Sequence, residues 1–96
     1  MEFMRMGVDN TLNDFRHIPR KRFGQHWLKD QGVLDQIVKA AELNPEDCVL
    51  EVGPGKGALT EKLIESQARF IQAIELDRDL VIGLKKRFSH QNKFSL

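Results

Sequence analysis

Cysteine and tyrosine are almost absent from this chain. Among its 96 residues there is one cysteine, Cys48, and no tyrosine. A single cysteine excludes an internal disulfide framework and a multi-cysteine zinc site. Its place in the apolar run Cys48-Val49-Leu50 predicts a buried small side chain rather than a reactive thiol. One unpaired thiol also agrees with a reducing cytoplasm.

Long apolar runs and a large net charge are also missing. A membrane-spanning helix needs about 20 apolar residues, whereas the longest runs here have a handful, and the N-terminus lacks the apolar segment of a signal peptide. Fifteen Lys and Arg against fourteen Asp and Glu leave a formal net charge of +1, which identifies no partner. With 41% hydrophobic and 30% charged residues, the composition is that of a globular chain, and its length allows at most one small domain.

Positive charge is nevertheless concentrated between residues 15 and 29. This stretch contains no acid, and two aromatic residues, Phe23 and Trp27, lie among its basic ones. Cations that meet phosphates beside rings that stack on bases are typical of a nucleic-acid surface. A solvated turn whose rings fill the core below is an equally good reading of the composition. The basic residues are Arg16, His17, Arg20, Lys21, Arg22, His26 and Lys29.

Hydrophobic spacing predicts alternating helices and strands after residue 30. Apolar residues follow a helical stripe over residues 33–43, after Asp30 as an N-cap and before Asn44-Pro45 as a stop. Asp77 or Asp79 is a candidate cap for the last helix. The pattern predicts a parallel α/β sheet with crossover helices, of which this chain contains only the N-terminal portion. We expect residues 1–15 to form a flexible tail and residues 16–96 to form the truncated domain. Within that domain we expect strands at 48–52 and 70–74, helical spacing over 58–68, a helix over 79–88, and the start of a third strand in 89–96.

A glycine-rich turn, residues 53–57, joins the first of these strands to the next helix. Its sequence, Gly-Pro-Gly-Lys-Gly, lets a ligand approach the backbone closely. It lacks the spacing and Lys-Ser/Thr pair of a P-loop, and its G-x-G-x-G is one residue shorter than a dinucleotide fingerprint. Pro54 also removes one backbone N–H. An adenosyl cofactor without phosphates, S-adenosylmethionine, fits better, although Gly53 and Gly57 could be ordinary turn and packing glycines.

Two acids accompany this turn. Glu51 precedes Gly53, where it would face the positive groups of such a cofactor or would only be solvated at the strand end. Glu75 closes the second strand about 20 residues after the first glycine, where nucleotide-binding folds place an acid on the ribose hydroxyls. Strand, turn, helix and second-strand acid together predict an adenosyl-cofactor site.

Three segments resemble motifs of the ribosomal RNA adenine dimethyltransferase family. Residues 20–28, R-K-R-F-G-Q-H-W-L, are similar to the family's opening K-R-F-G-Q-N-F-L. Residues 51–60, E-V-G-P-G-K-G-A-L-T, are similar to its cofactor loop E-[IV]-G-P-G-x-G-x-L-T. Residues 73–80, A-I-E-L-D-R-D-L, resemble its x-I-E-x-D-x-x-L. The three occur in order and correctly spaced from residue 20 to about 88, which makes the joint resemblance specific.

The resemblance implies a Rossmann-like methyltransferase that moves methyl groups from S-adenosylmethionine to N6 of adenines in small-subunit ribosomal RNA. It implies a cytoplasmic enzyme of bacterial or plastid type, monomeric at full length and without a metal. His26 stands where the family more often has Asn, and either ring nitrogen could meet the cofactor. The implied cofactor contacts are His26, Leu28, Glu51, Gly53, Gly55 and Glu75, and the residues implied to approach RNA are Arg20, Lys21 and Arg22.

The chain stops before the family's motifs for the target base. The third-strand acid and the N-L-P-Y type motif would lie beyond residue 96, so we expect an N-terminal fragment without catalytic residues or transfer activity of its own. A non-catalytic RNA-binding or ribosome-assembly fragment remains an alternative. So does an S-adenosylmethionine-dependent methyltransferase of another substrate, whereas the glycine spacing and Pro54 disfavour a nicotinamide enzyme.

Overall fold

A five-stranded sheet with three helices makes up the described part of the chain. The computed structural model describes residues 2–6, 12–17 and 30–96, the first two segments as backbone only. The strands lie in the order β2-β1-β3-β4-β5. Along the chain the elements are β1 Glu2–Met6, β2 Leu12–His17, α1 Gln31–Ala41, β3 Cys48–Val52, α2 Ala58–Glu65, β4 Phe70–Ile74, α3 Arg78–Arg87 and β5 Phe94–Ser95.

The strands β3, β4 and β5 are parallel, which confirms the predicted sheet and its third strand. In the register of β3 and β4, Val52 lies opposite Ile74, and each is the last residue of its strand. Because the two strands end in step, Gly53 and Glu75 leave the sheet side by side. The register therefore brings the glycine-rich turn and the second-strand acid to one edge.

Local capping signals define where the helices begin. The Asp30 carboxylate accepts a hydrogen bond from the Val33 N–H at 3.2 Å, so α1 begins two residues before the predicted 33. Asp77 caps α3 by accepting from the Asp79 N–H at 2.9 Å. The predicted helical spacing over 58–68 extends too far, because α2 ends at Glu65 and the Ser66 backbone turns into an extended conformation. The short polar segment that follows leads directly into β4.

One apolar cluster joins the three helices to the inner face of the sheet. Burial alternates along β3, where Val49 and Glu51 are buried and their neighbours are half-buried. Leu residues that are fully buried contribute about 1.5–3 kcal/mol each relative to exposure. Completely or almost completely buried members of the cluster are Leu34 of α1, Leu59 and Leu63 of α2, Ile71 of β4 and Leu84 of α3.

The N-terminal strands differ from the flexible tail expected over residues 1–15. β1 pairs antiparallel with β3, placing Phe3 opposite Glu51, and β2 pairs antiparallel with β1. An unpaired edge of β3 would leave a row of backbone groups without partners, and this pairing satisfies them. The contacting segments are far apart along the chain, so no local pattern reveals them. The division of the chain at residue 15 remains a prediction.

The surroundings of Cys48 differ from the prediction. Cys48 is half-buried rather than fully buried, because its sulfur accepts a hydrogen bond from Arg69 Nη2 at 3.1 Å near the surface. Among the described residues, no helix is long and apolar enough to cross a membrane.

Candidate functional site

The glycine-rich turn adopts a backbone that side chains disfavour. Gly53, Gly55 and Gly57 have φ values of 72°, 62° and 92°, in the left-handed region where an ordinary residue is strained. A Cβ at Gly55 would meet no heavy atom within 4 Å. The turn is therefore open on the side of Gly55, where a ligand could approach the backbone.

Backbone hydrogen bonds fix both ends of this turn. The Gly53 N–H donates to the Ile74 carbonyl at 2.8 Å, which ties the turn to the end of β4. The Gly57 N–H donates to the Pro54 carbonyl at 3.0 Å, which closes the turn on itself. The conformation of residues 53–57 is thus built into the sheet edge.

The carboxylate of Glu75 bridges two loops at this edge. Its Oε1 accepts a hydrogen bond from the Gly55 N–H at 3.0 Å, and its Oε2 accepts from the Asp77 N–H at 3.1 Å. A carboxylate offers about four acceptor positions, so acceptor capacity remains after these two contacts. The structure brings Glu75 to Gly53 and Gly55, as the sequence predicted.

Glu51 lies under the same turn and is completely buried. Its Oε1 accepts a hydrogen bond from the Thr60 hydroxyl at 2.5 Å, and Thr60 is equally buried. The other oxygen, Oε2, is buried without a hydrogen-bond partner among the residues that the structure describes. The reading of Glu51 as a solvated residue at the strand end is therefore wrong.

Burial also changes the acidity of this carboxyl. The loss of solvent raises the pKa of Glu51 to about 7, with a smaller contribution from the negative charge of Glu75, while the Thr60 hydrogen bond acts in the opposite direction. Near neutral pH the group is divided between its charged and neutral forms. A buried carboxyl with one free oxygen can thus either accept hydrogen bonds from a cationic ligand or donate one.

The remaining predicted site residues lie outside the described part of the chain. They are His26 and Leu28 among the cofactor contacts, and Arg20, Lys21 and Arg22 among the RNA-facing residues. No group of three or more His, Cys, Asp or Glu side chains within the described ranges could hold a metal ion.

Sequence reasoning missed two residues of this edge, Thr60 and Arg87. Thr60 belongs to the quoted loop motif, but its spacing from Glu51 does not reveal a buried hydrogen bond. Arg87 Nη1 donates to the Lys56 carbonyl at 2.6 Å, and its other nitrogen pairs with Glu61 of α2. The only sequence signal for Arg87 is a basic residue in the last helical turn, which is common at that place.

Comparison with known proteins relates the chain to one family. The family model described as ribosomal RNA adenine dimethylase matches residues 16–96. The ribosomal RNA small subunit methyltransferase A of Prochlorococcus marinus strain NATL2A is 98% identical over 91 residues, which are 95% of this chain and 31% of that protein. The protein of the same name from Parasynechococcus marenigrum strain WH8102 is 68% identical over 80 residues, 83% of this chain and 26% of the relative. The chain thus spans about a third of the length of these curated relatives.

Two solved structures share the fold. A dimethyladenosine transferase from Plasmodium falciparum superposes with a TM-score of 0.63 at 36% identity, over 70% of this chain and 25% of that one. A 23S ribosomal RNA methyltransferase, ErmE, gives a TM-score of 0.65 at 34% identity, over 70% of this chain and 27% of the other. The parallel strands and their helices therefore form part of a Rossmann-like methyltransferase fold.

Proposed function

Because this chain belongs to the ribosomal RNA adenine dimethylase family, we propose that it forms the cofactor-binding part of an S-adenosylmethionine-dependent enzyme that dimethylates N6 of adenines in small-subunit ribosomal RNA. S-adenosylmethionine supplies an electrophilic methyl group on a positively charged sulfonium. The binding of the target adenine is proposed for the whole protein, because the curated relatives are about three times as long as this chain.

The residues present fit this cofactor. Glu51 and Glu75 would repel the phosphates of a nucleotide but attract the sulfonium and ammonium groups of an adenosyl cofactor. The free Oε2 of Glu51 is a buried acceptor two residues before the turn, and the turn itself is open at Gly55. We assign the cofactor to Glu51, Gly53, Gly55 and Glu75, with His26 and Leu28 assigned from the family motif.

The observation that carries the proposal is the position of the Glu75 carboxylate. It lies within hydrogen-bond distance of Gly55, so one acid contacts the glycine-rich turn while it keeps acceptor capacity for ribose hydroxyls. In a fold that binds an adenosyl group without a P-loop, the acid must both contact the glycine-rich turn and keep an oxygen free for the ribose hydroxyls. The juxtaposition of acid and turn favours an adenosyl ligand over a simple structural turn.

Calorimetric titration with S-adenosylhomocysteine tests this assignment. We expect Glu75→Ala to weaken binding about tenfold or more, because the loss of hydrogen bonds to a charged acceptor costs about 1.5–3 kcal/mol. Asp79→Ala is the matched control, since it removes a neighbouring exposed carboxylate from the first turn of α3. Equal affinities of Glu75→Ala and Asp79→Ala would remove Glu75 from the site.

The RNA partner rests on the basic segment that contains Arg20, Lys21 and Arg22. Its cations and interleaved rings support the proposal that it approaches ribosomal RNA. The same segment supports the second candidate, a non-catalytic RNA-binding role, because binding RNA requires no target-base pocket. The two differ in their dependence on cofactor: RNA binding that is indifferent to S-adenosylhomocysteine favours the non-catalytic role.

A further inference from the structure

The guanidinium of Arg87 joins the last turn of α3 to the glycine-rich turn. Arg87 Nη1 donates to the Lys56 carbonyl at 2.6 Å, and Nη2 pairs with the Glu61 carboxylate on α2. The guanidinium also lies 5.1 Å from the centre of the Phe88 ring. One side chain therefore contacts the turn, the helix that follows it, and the C-cap residue of its own helix.

We propose that Arg87 is a positioning residue for the cofactor site, holding the backbone of residues 55–57 in the conformation that the adenosyl ligand requires. This inference rests on the proposed function for the identity of the ligand. Arg87 itself would act through the Lys56 carbonyl and would not touch the cofactor.

The pattern of contacts on the turn supports this role. The N–H groups of Gly53 and Gly57 donate to backbone carbonyls, and that of Gly55 donates to the Glu75 carboxylate. The contact from Arg87 differs because a side chain donates it to a carbonyl of the turn, and it reaches the turn from α3. It fixes the peptide that follows Lys56, between the two glycines whose φ values are 62° and 92°.

Packing beside this contact makes the same connection. A Cβ at Gly57 would lie 2.8 Å from Phe88 Cε2 and 3.1 Å from Leu84 Cδ2, so the backbone of the turn lies directly against α3. Phe88 is buried and its ring centre is 5.1 Å from that of Phe94 in β5. The end of α3 is thus a firm support from which Arg87 can hold the turn.

A glycine-rich turn needs such support more than an ordinary turn does. Glycine loses more conformational freedom on ordering than any other residue, and a ligand that must order its own loop binds more weakly. The pairing of Arg87 with Glu61 is half-exposed and by itself contributes little to stability. The effect of Arg87 should therefore appear in ligand affinity more clearly than in the melting temperature.

The test compares three variants by calorimetry with S-adenosylhomocysteine. Arg87→Met keeps a long unbranched side chain but removes every donor, Arg87→Lys restores one charged donor, and Lys86→Met removes a neighbouring exposed charge. We expect Arg87→Met to weaken binding about three- to tenfold, Arg87→Lys to recover part of this loss, and Lys86→Met to bind as the unaltered chain does.

Amide hydrogen exchange of the turn gives a second readout that does not need the ligand. We expect faster exchange at Gly55 and Gly57 in Arg87→Met, with unchanged exchange in the strands. A purely structural role would lower the melting temperature and leave both affinity and turn exchange unchanged at temperatures where every variant is folded, which would overturn the proposal. If the unaltered chain binds no S-adenosylhomocysteine, the proposed function fails, whereas exchange at Gly57 still decides the role of Arg87.

Discussion

Among single residues, Glu51 shows how a site side chain can oppose the stability of the fold that holds it. Its carboxyl is fully buried and receives one hydrogen bond, from Thr60. Burial raises its pKa from 4.5 to about 7, so the folded chain binds a proton more tightly than the unfolded chain does. A residue placed only for stability would be apolar here, and the carboxyl at this position therefore supports the proposed cofactor role of Glu51.

Glu51→Gln should change the dependence of stability on pH. Because the pKa of Glu51 is raised in the folded state, its contribution is most favourable below about pH 4.5, is lost as the pH rises towards 7, and is constant above that. Gln keeps the shape and an oxygen for the Thr60 hydroxyl but does not titrate. We expect the variant to gain on the order of 3 kcal/mol relative to the unaltered chain between pH 4.5 and 8.

Urea denaturation at several pH values measures this difference in the free energy of unfolding. Glu46→Gln, which removes one exposed carboxylate, is the matched control for charge. A difference between Glu51→Gln and the unaltered chain that stays constant from pH 4.5 to 8 would contradict the raised pKa.

At the scale of elements, the contact between the glycine-rich turn and α3 decides which glycines can be replaced. Gly57→Ala would place a methyl group against Phe88 at a φ of 92°, and we expect it to lower the free energy of unfolding by about 2–4 kcal/mol. Gly83 lies within α3, where a Cβ meets nothing within 4 Å. Gly83→Ala should therefore stabilise the chain by up to about 1 kcal/mol.

Chemical denaturation of the two variants checks both signs with the same chemical change. The pair separates the effect of backbone conformation and close packing from the general preference of helices for alanine. Similar stabilities for Gly57→Ala and the unaltered chain would mean that the turn is free to move away from α3.

For the whole molecule, the distribution of charge matters more than its sum. Neutralising residues 20–22 with glutamine should reduce the slope of log affinity against log salt concentration by about 2 for single-stranded ribosomal RNA, since each phosphate contact contributes about 0.7. The control replaces Lys39, Lys85 and Lys86, three exposed residues elsewhere, and changes net charge equally. Filter binding at several salt concentrations measures the slopes, and equal slopes would argue against an RNA-facing role for residues 20–22.

The fold was predictable from the sequence where its signals are local. Asp30 caps α1 as expected, and hydrophobic spacing located the parallel strands and their helices within a few residues. The arrangement of the candidate site was predictable only in part: the two acids and the glycines follow from motif spacing, and their role in binding a cofactor stays a prediction. The hydrogen bond from Thr60 to Glu51 and that from Arg87 to Lys56 join residues whose separation follows no regular period, so only three-dimensional packing reveals them. The same holds for the pairing of β1 with β3.

The raised pKa of the Glu51 carboxyl also links the binding of a ligand to the release of a proton. A cationic ligand beside Glu51 favours the ionised form and lowers its pKa, so that binding near pH 7 releases part of a proton into solution. Because the bound cation displaces part of a proton from Glu51, the net charge of this sheet edge rises by less than one unit when the ligand binds. If the edge binds the proposed cofactor, binding is coupled to the pH of the solution, and the apparent affinity for a cationic ligand increases as the solution becomes more alkaline.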